Sequence, residues 1–172
     1  MGKKGSYFYV IDAFIASAII IFTILFITRY AQTDSATPQN INVAEDFMLY
    51  LQGTDIRDTD SETVADILKS SVVNETGQTL LTLLTELHYL EKEKGCTLCG
   101  EQLYNLSKEL IEDLIPPAFG ARFLMNTTPY YTRQGQTASE SMTHFTSQRL
   151  TFYQINDSAI FGPLTAHIEV WQ

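Results

Sequence analysis

The two cysteines of the chain, Cys96 and Cys99, have the C-x-x-C spacing that can bind a metal, exchange a disulfide or close a local one. A structural zinc site needs four ligands, and the sequence offers neither a second C-x-x-C nor two closely spaced histidines. A thioredoxin-type site begins a helix that follows a strand, whereas the residues before Gly95 have a helical pattern. The sequence favours a local disulfide at the tip of a helical hairpin, with redox activity, metal binding and free thiols as the alternatives.

No other group of residues matches a catalytic or cofactor motif. The sequence lacks G-x-S-x-G, H-E-x-x-H, Walker A and G-x-G-x-x-G patterns. The three histidines, His88, His144 and His167, are more typical of solvent-facing or hydrogen-bonded residues than of catalysts. We therefore expect no enzymatic activity, no metal site and no cofactor.

Four of the six asparagines stand in N-x-[ST] patterns, the acceptor context for N-glycosylation, namely Asn74, Asn105, Asn126 and Asn156. This excess favours a glycosylated, exposed outer domain. The alternative is compositional, because asparagine and threonine are both enriched in turns.

The amino-terminal part is strongly apolar. Residues 6–28 are 23 residues with a single charge, Asp12. As a helix they would extend about 34 Å, enough to cross a hydrocarbon core of about 30 Å. A carboxylate inside lipid costs about 2.5 to 3.5 kcal/mol, so Asp12 needs a partner or must reach the interface by snorkelling.

The charges on either side of this segment predict its orientation. Lys3 and Lys4 precede it, whereas residues 30–172 hold 8 basic and 19 acidic residues. The positive-inside rule then places the amino end in the cytoplasm. The sequence predicts a single-pass membrane protein with basic residues at its amino end (residues 1–5), a transmembrane helix (residues 6–32) and an extracellular domain.

The residues Lys-Lys-Gly-Ser at positions 3–6, followed directly by an apolar helix, resemble the class III signal of type IV pilin-like proteins, especially archaeal ones. The stretch VIDAFIA at residues 10–16 is similar to the start of many archaeal pilin-like secreted proteins. The resemblance implies that residues 1–5 are a leader, which a prepilin peptidase removes by cutting between Gly5 and Ser6. It also implies that the helix of residues 6–32 stays on the mature chain and forms the core of a filament after assembly. It also implies that Asp12 pairs with the free amine of Ser6 on a neighbouring subunit and sets the stagger between helices.

The residues that follow predict a linker and then helices. A polar segment at residues 33–40, broken by Pro38, reads as the linker, and residues 41–172 form the outer domain. A short helical pattern ends at Gly53, and Thr59-x-x-Glu62 predicts a capping box for the next helix. Two stronger leucine repeats, Leu80, Leu83, Leu84, Leu87 and Leu90, then Leu103, Leu106, Leu110 and Leu114, predict amphipathic helices, the second stopped by Pro116 and Pro117.

After Pro117 the apolar period changes from that of helices to that of strands. Alternating residues predict strands over residues 164–171 and about 142–155, and a shorter one over 119–125. Asn156-Asp157 and Gly162-Pro163 are the predicted turns between the last two. The fold class is therefore α+β, a long amino-terminal transmembrane helix followed by a small domain of helices and an antiparallel β-sheet.

The net charge of the chain excludes one kind of partner. The net charge is −9, from 11 Lys+Arg and 20 Asp+Glu, so a nucleic-acid partner is not expected.

We expect a pilin-like structural subunit of an extracellular type IV pilus-like filament or pseudopilus, assembled through its apolar helix. Its expected partners are the membrane, a prepilin peptidase-like protease and the helices of its own or other pilin-like subunits. The alternative is a permanently membrane-anchored extracellular binding domain that does not polymerise.

Overall fold

The computed structural model describes residues 13–24, 37–70, 72–73, 77–135, 143–156 and 158–172. The chain divides into two compact units, Met1–Gln39 and Asn40–Gln172. The fold is α+β, with helices preceding an antiparallel sheet. Within the described residues the elements are α1 (residues 13–24), α2 (Thr37–Gly53), α3 (Glu62–Lys69), α4 (Leu80–Lys94), α5 (Thr97–Leu114), β1 (Gly120–Met125), β2 (Thr128–Arg133), β3 (His144–Asn156) and β4 (Ala159–Trp171).

Among the helices that the structure describes, none combines the length and the apolar character needed to cross a bilayer. The 12 described residues of α1 rise about 18 Å, against about 30 Å of hydrocarbon. This finding corrects the transmembrane helix predicted over residues 6–32. It also corrects the single-pass membrane location, with its cytoplasmic amino end and extracellular domain, because both depended on that helix.

The helix α2 begins inside the predicted linker. Its first residue is Thr37, so Pro38 lies in the first turn, where a missing N–H costs no helical hydrogen bond. The break predicted at Pro38 is therefore wrong for the part of the linker that the structure describes. The helix ends at Gly53, as its pattern predicts.

The amino-terminal cap of α3 is Ser61. Its side chain accepts a hydrogen bond from the amide of Val64 at 3.1 Å. The cap must directly precede the first helical residue, here Glu62, because only there does its oxygen reach the free amides. The capping box predicted from Thr59 is wrong by two residues.

The four strands form one antiparallel sheet in the order β2-β1-β4-β3. Residues 162–163 lie inside β4 and not in the predicted turn. Between the pairs Thr151–Leu164 and Tyr153–Phe161 the register shifts, so that these two residues stand opposite one. Such a bulge accommodates a proline, which has no N–H for the ladder.

The helices α4 and α5 cover one face of this sheet and share its core. The helix α4 packs on β3 and β4, and α5 packs on β2. The leucines of the two predicted repeats meet alternate residues of β1 and β4, and the buried set includes Leu83, Leu84, Leu87, Leu103, Leu106, Leu110, Phe123, Ala166, Ile168 and Val170. The intervening β4 residues, among them His167 and Glu169, are partly exposed on the other face.

Candidate functional site

A cleft of about 750 Å³ lies between the α4–α5 connection and the β1–β2 hairpin. This is within the range of about 300 to 1,000 Å³ that is common for small-molecule sites. Its walls carry two carboxylates, two tyrosines, an asparagine and a disulfide sulfur, from Glu91, Glu101, Tyr104, Tyr130, Asn105 and Cys96. We call this space the disulfide cleft.

The connection between α4 and α5 positions the two cysteines. The helix α4 ends at Gly95, whose φ of 67° is in the left-handed region that favours glycine, and the chain turns at once into α5. Cys96 is the amino-terminal cap of α5, and its sulfur accepts a hydrogen bond from the Cys99 amide at 3.2 Å. A disulfide joins Cys96 to Cys99, with 5.3 Å between their Cα atoms. Cys99 is fully buried, whereas Cys96 is partly exposed in the cleft.

Three side chains from α4 and β2 form a hydrogen-bond chain beside the cleft. The Tyr130 hydroxyl donates to Oε2 of Glu91 at 2.5 Å and lies 2.6 Å from Nδ1 of His88. The only proton of this hydroxyl is given to the carboxylate, so Nδ1 of His88 must be the donor to the hydroxyl oxygen. The chain thus fixes the imidazole tautomer.

The pKa shifts agree with these proton positions. Burial, together with the bond to Glu91, raises the pKa of the Tyr130 hydroxyl far above its usual value. Burial would raise the pKa of Glu91, but the hydrogen bonds from Tyr130 and Lys92 outweigh it, and the net shift is downward. Burial lowers the pKa of His88, and the charge of Lys92 adds to this. At neutral pH the tyrosine is protonated, the glutamate charged and the histidine neutral.

We expect the free energy of unfolding to decrease as the pH is lowered from 7.5 to 5.5. His88 has a lower pKa in the folded chain than the value of about 6.5 expected when unfolded, so the unfolded chain binds the proton more strongly. The stability contributed by neutral His88 is present above about pH 6.5 and is lost as the pH falls toward the folded pKa. Urea unfolding at several pH values measures this slope.

The variant that tests this is His88→Asn, which keeps a donor but cannot titrate. It should flatten the slope between pH 5.5 and 7.5. An unaltered slope in His88→Asn would mean that another group carries the pH dependence.

A second candidate site is the surface of α1. All 12 described residues are exposed, with Phe14 and Phe22 at 79% and 74% of their full accessible area. The two hydroxyls of the helix, on Ser17 and Thr23, bond to the carbonyls of Ala13 and Ile19 at 2.7 and 2.8 Å. With its polar groups satisfied internally, α1 presents an apolar surface all round. The predicted processing and registry residues, Gly5, Ser6 and Asp12, lie outside the described residues.

The predicted glycosylation sites have different surroundings. Asn105 is exposed on α5. Asn126 has a φ of 55° in the β1–β2 turn and accepts the amide of Thr165 at 2.9 Å, and Asn156 accepts the Ser158 amide at 3.0 Å. Both side chains thus have a structural role at or beside a turn, which favours the compositional explanation, and Asn74 lies outside the described residues. The predicted glycosylation depended on an extracellular location, so it is corrected together with that location.

The remaining candidates do not converge on a metal. Within the described ranges, no group of three or more histidine, cysteine, aspartate or glutamate side chains is placed to bind an ion. His144 stacks on Trp171, with 6.1 Å between the ring centroids. Sequence reasoning placed His88 among solvent-facing or satisfied residues and missed its link to Glu91 and Tyr130, for which no sequence spacing gives a signal.

No protein-family model, curated protein or solved structure matches this chain.

Proposed function

We propose that this chain is a pilin-like structural subunit that assembles into a filament by packing its apolar amino-terminal helix against the same helix of other copies. The observation that carries the proposal is the full exposure of α1. A helix that is apolar all round is stable when its surface is covered. The second unit has its own buried core.

The side chains in the first half of α1 differ in size around the helix. Ala13, Ala16 and Ser17, spaced i, i+3 and i+4, form a small face, which ends at the bulky Ile20 at i+7. Ile15, Ile19 and Phe22, spaced i, i+4 and i+7, form a bulky face on the opposite side. The bulky face of one helix can pack into the small face of the next, since small residues allow close approach of helix backbones.

Packing of unlike faces has a consequence for the assembly. When a subunit uses two different surfaces, each added copy leaves one surface free, and a contact that does not close into a ring continues as a helical filament. This supports a filament over a symmetric dimer. The prepilin peptidase-like cut after Gly5 and the registry role of Asp12 belong to the same proposal.

The test is a pair of substitutions, one on each face, in the full-length chain. Ile19→Asp should reduce the assembled fraction by more than about tenfold, because a carboxylate would be buried without a partner. Ala16→Phe should reduce it by about tenfold, since overpacking costs about 1 to 3 kcal/mol. Sedimentation and negative-stain imaging measure assembly, and mass spectrometry of the assembled chain should give an amino terminus at Ser6.

The matched control is Leu49→Asp, the same type of change at an exposed apolar residue of α2. It should leave assembly unchanged. A chain that remains monomeric with α1 intact, or filaments that persist in both α1 variants, would contradict the proposal. The first of these outcomes would favour a binding domain that does not polymerise.

A further inference from the structure

The two sulfurs of the disulfide differ in access. Cys99 is fully buried among the core side chains, whereas Cys96 is partly exposed and lines the disulfide cleft. The cleft therefore gives an incoming thiol access to the Cys96 side of the disulfide, whereas Cys99 has no exposed surface. Thiol–disulfide exchange depends on which sulfur is open to attack, so this arrangement selects one reaction path.

The position of Cys96 also makes its sulfur a good leaving group in the second step of an exchange, when a mixed disulfide at Cys96 is broken. As the cap of an 18-residue helix it already accepts the Cys99 amide, and the amino-terminal end of the helix dipole favours a negative charge there. A thiolate released at this position is stabilised by contacts that exist before the reaction.

The charged groups around the cleft are mainly acidic. Glu91 and Glu101 line it, and the Glu91 side chain lies so close to Gly100 that a Cβ there would be 3.2 Å from its Cδ. Of the nearby cations, Lys92 is paired with Glu91 at 3.0 Å and lies 5.9 Å from the Tyr130 ring centroid, and Lys94 lies over Tyr89. With Glu91 paired to Lys92, Glu101 is the lining charge that favours a thiol carrying positive charge.

We infer that the Cys96–Cys99 disulfide is the oxidant in thiol–disulfide exchange with a positively charged, cysteine-bearing peptide segment that enters the disulfide cleft. A thiolate of the segment attacks Sγ of Cys96, the Cys96–Cys99 bond breaks, and Cys99 leaves with the electron pair and takes a proton from water. A second thiolate of the segment attacks the mixed disulfide and releases Cys96. Two thiols of the segment become one disulfide, and the protein disulfide becomes two thiols.

The first test measures whether the disulfide reacts in the folded protein. The oxidised full-length chain is treated with excess cysteamine, a cationic thiol, the reaction is quenched with N-ethylmaleimide, and added labels are counted by mass. We expect reduction at a rate that does not change with urea below the unfolding transition. A rate that rises in parallel with the unfolded fraction would show that only the unfolded chain reacts, and would overturn the inference.

The second test measures charge selectivity. The rate of reduction of the protein disulfide by cationic cysteamine is divided by its rate of reduction by anionic mercaptoacetate. The same two rates are measured for a neutral reference, the disulfide of 2-mercaptoethanol, and the two ratios are compared. We expect the ratio on the protein to be at least about threefold higher, decreasing in Glu101→Gln and at about 1 M salt, where exposed charges are screened. Equal ratios on the protein and the neutral disulfide would contradict the acidic cleft as the binding surface.

The third test separates the two sulfurs. The single thiol of Cys99→Ser should react with the neutral disulfide at least about tenfold faster than the single thiol of Cys96→Ser, because Cys96 is partly exposed and Cys99 is fully buried. Equal rates, or a faster Cys99, would reject Cys96 as the attacked sulfur. If the serine at the buried position prevents folding, the urea dependence of the oxidised wild-type protein still decides between exchange in the folded state and a closed structural disulfide.

Discussion

Replacing Gly120 by alanine lowers the free energy of unfolding by about 2 to 3 kcal/mol, the upper part of the range for overpacking a core. Gly120 is buried at the start of β1 and pairs in register with Trp171 of β4. A Cβ at this position would overlap Nε1, Cε2 and Cζ2 of the Trp171 indole. The indole is nearly buried and stacked on His144, so it has little room to move aside.

The matched control is Gly53→Ala at the end of α2. A Cβ at Gly53 meets nothing within 4 Å, and alanine is the better helix former. We expect this variant to be as stable as the wild-type chain or more stable by up to about 1 kcal/mol. Urea denaturation of both variants measures the difference, and a Gly120→Ala variant within about 0.5 kcal/mol of wild type would show that the indole is free to shift.

Replacing Arg133 by glutamine should lower the free energy of unfolding by about 2 to 4 kcal/mol, because hydrogen bonds from a charged group are the stronger ones and their loss leaves acceptors unpaired. The Arg133 guanidinium joins β2 to the carboxyl end of α5. It donates to four backbone carbonyls, those of Ile111, Ile115, Pro116 and Phe119, at 3.2, 2.9, 2.7 and 2.8 Å. The α5 terminus has no glycine cap, and Arg133 instead joins the carbonyls of its last turn and C-cap, Ile111 and Ile115, to those of the following residues Pro116 and Phe119.

Two further variants separate the effect of the several hydrogen-bond donors of the guanidinium from the effect of its charge. Arg133→Lys should recover less than half of the loss, since one ammonium cannot reach all four carbonyls. Arg122→Gln on β1 removes a partly exposed arginine that pairs with Glu169, and should cost no more than about 1 kcal/mol. Equal unfolding midpoints for the Arg122 and Arg133 variants would contradict the capping role.

The parts of the fold that the sequence predicted are those with a long, regular apolar pattern. The leucines of α4 and α5 repeat over several turns, and the alternation in β4 runs from Leu164 to Val170, so local sequence alone determines which face is buried. The strand β2 has only six residues and includes Pro129, so its pattern is too short to indicate a strand. It forms by pairing with β1 across a two-residue turn at Asn126.

The candidate site divides in the same way. The spacing of Cys96 and Cys99 brings the sulfurs together locally, whichever tertiary fold surrounds them. The link from His88 and Glu91 to Tyr130 spans about 40 residues of sequence and depends on α4 lying beside β2. Sequence patterns carry no information on that packing. The composition of residues 6–28 was also an insufficient guide, because it predicts a membrane span that the described part of α1 does not form.

The order of the strands has a consequence for how the protein is made. The strand β4 pairs with both β1 and β3, yet it is the last of them to leave the ribosome. At about 5 to 20 residues per second, the roughly 150 residues between α1 and the end of β4 take on the order of 7 to 30 s to synthesise. Throughout that interval the apolar amino-terminal helix has already left the ribosome, whereas the sheet cannot form because β4 has not yet been made. A chaperone would therefore have seconds, rather than milliseconds, in which to bind the nascent helix and prevent incomplete chains from associating.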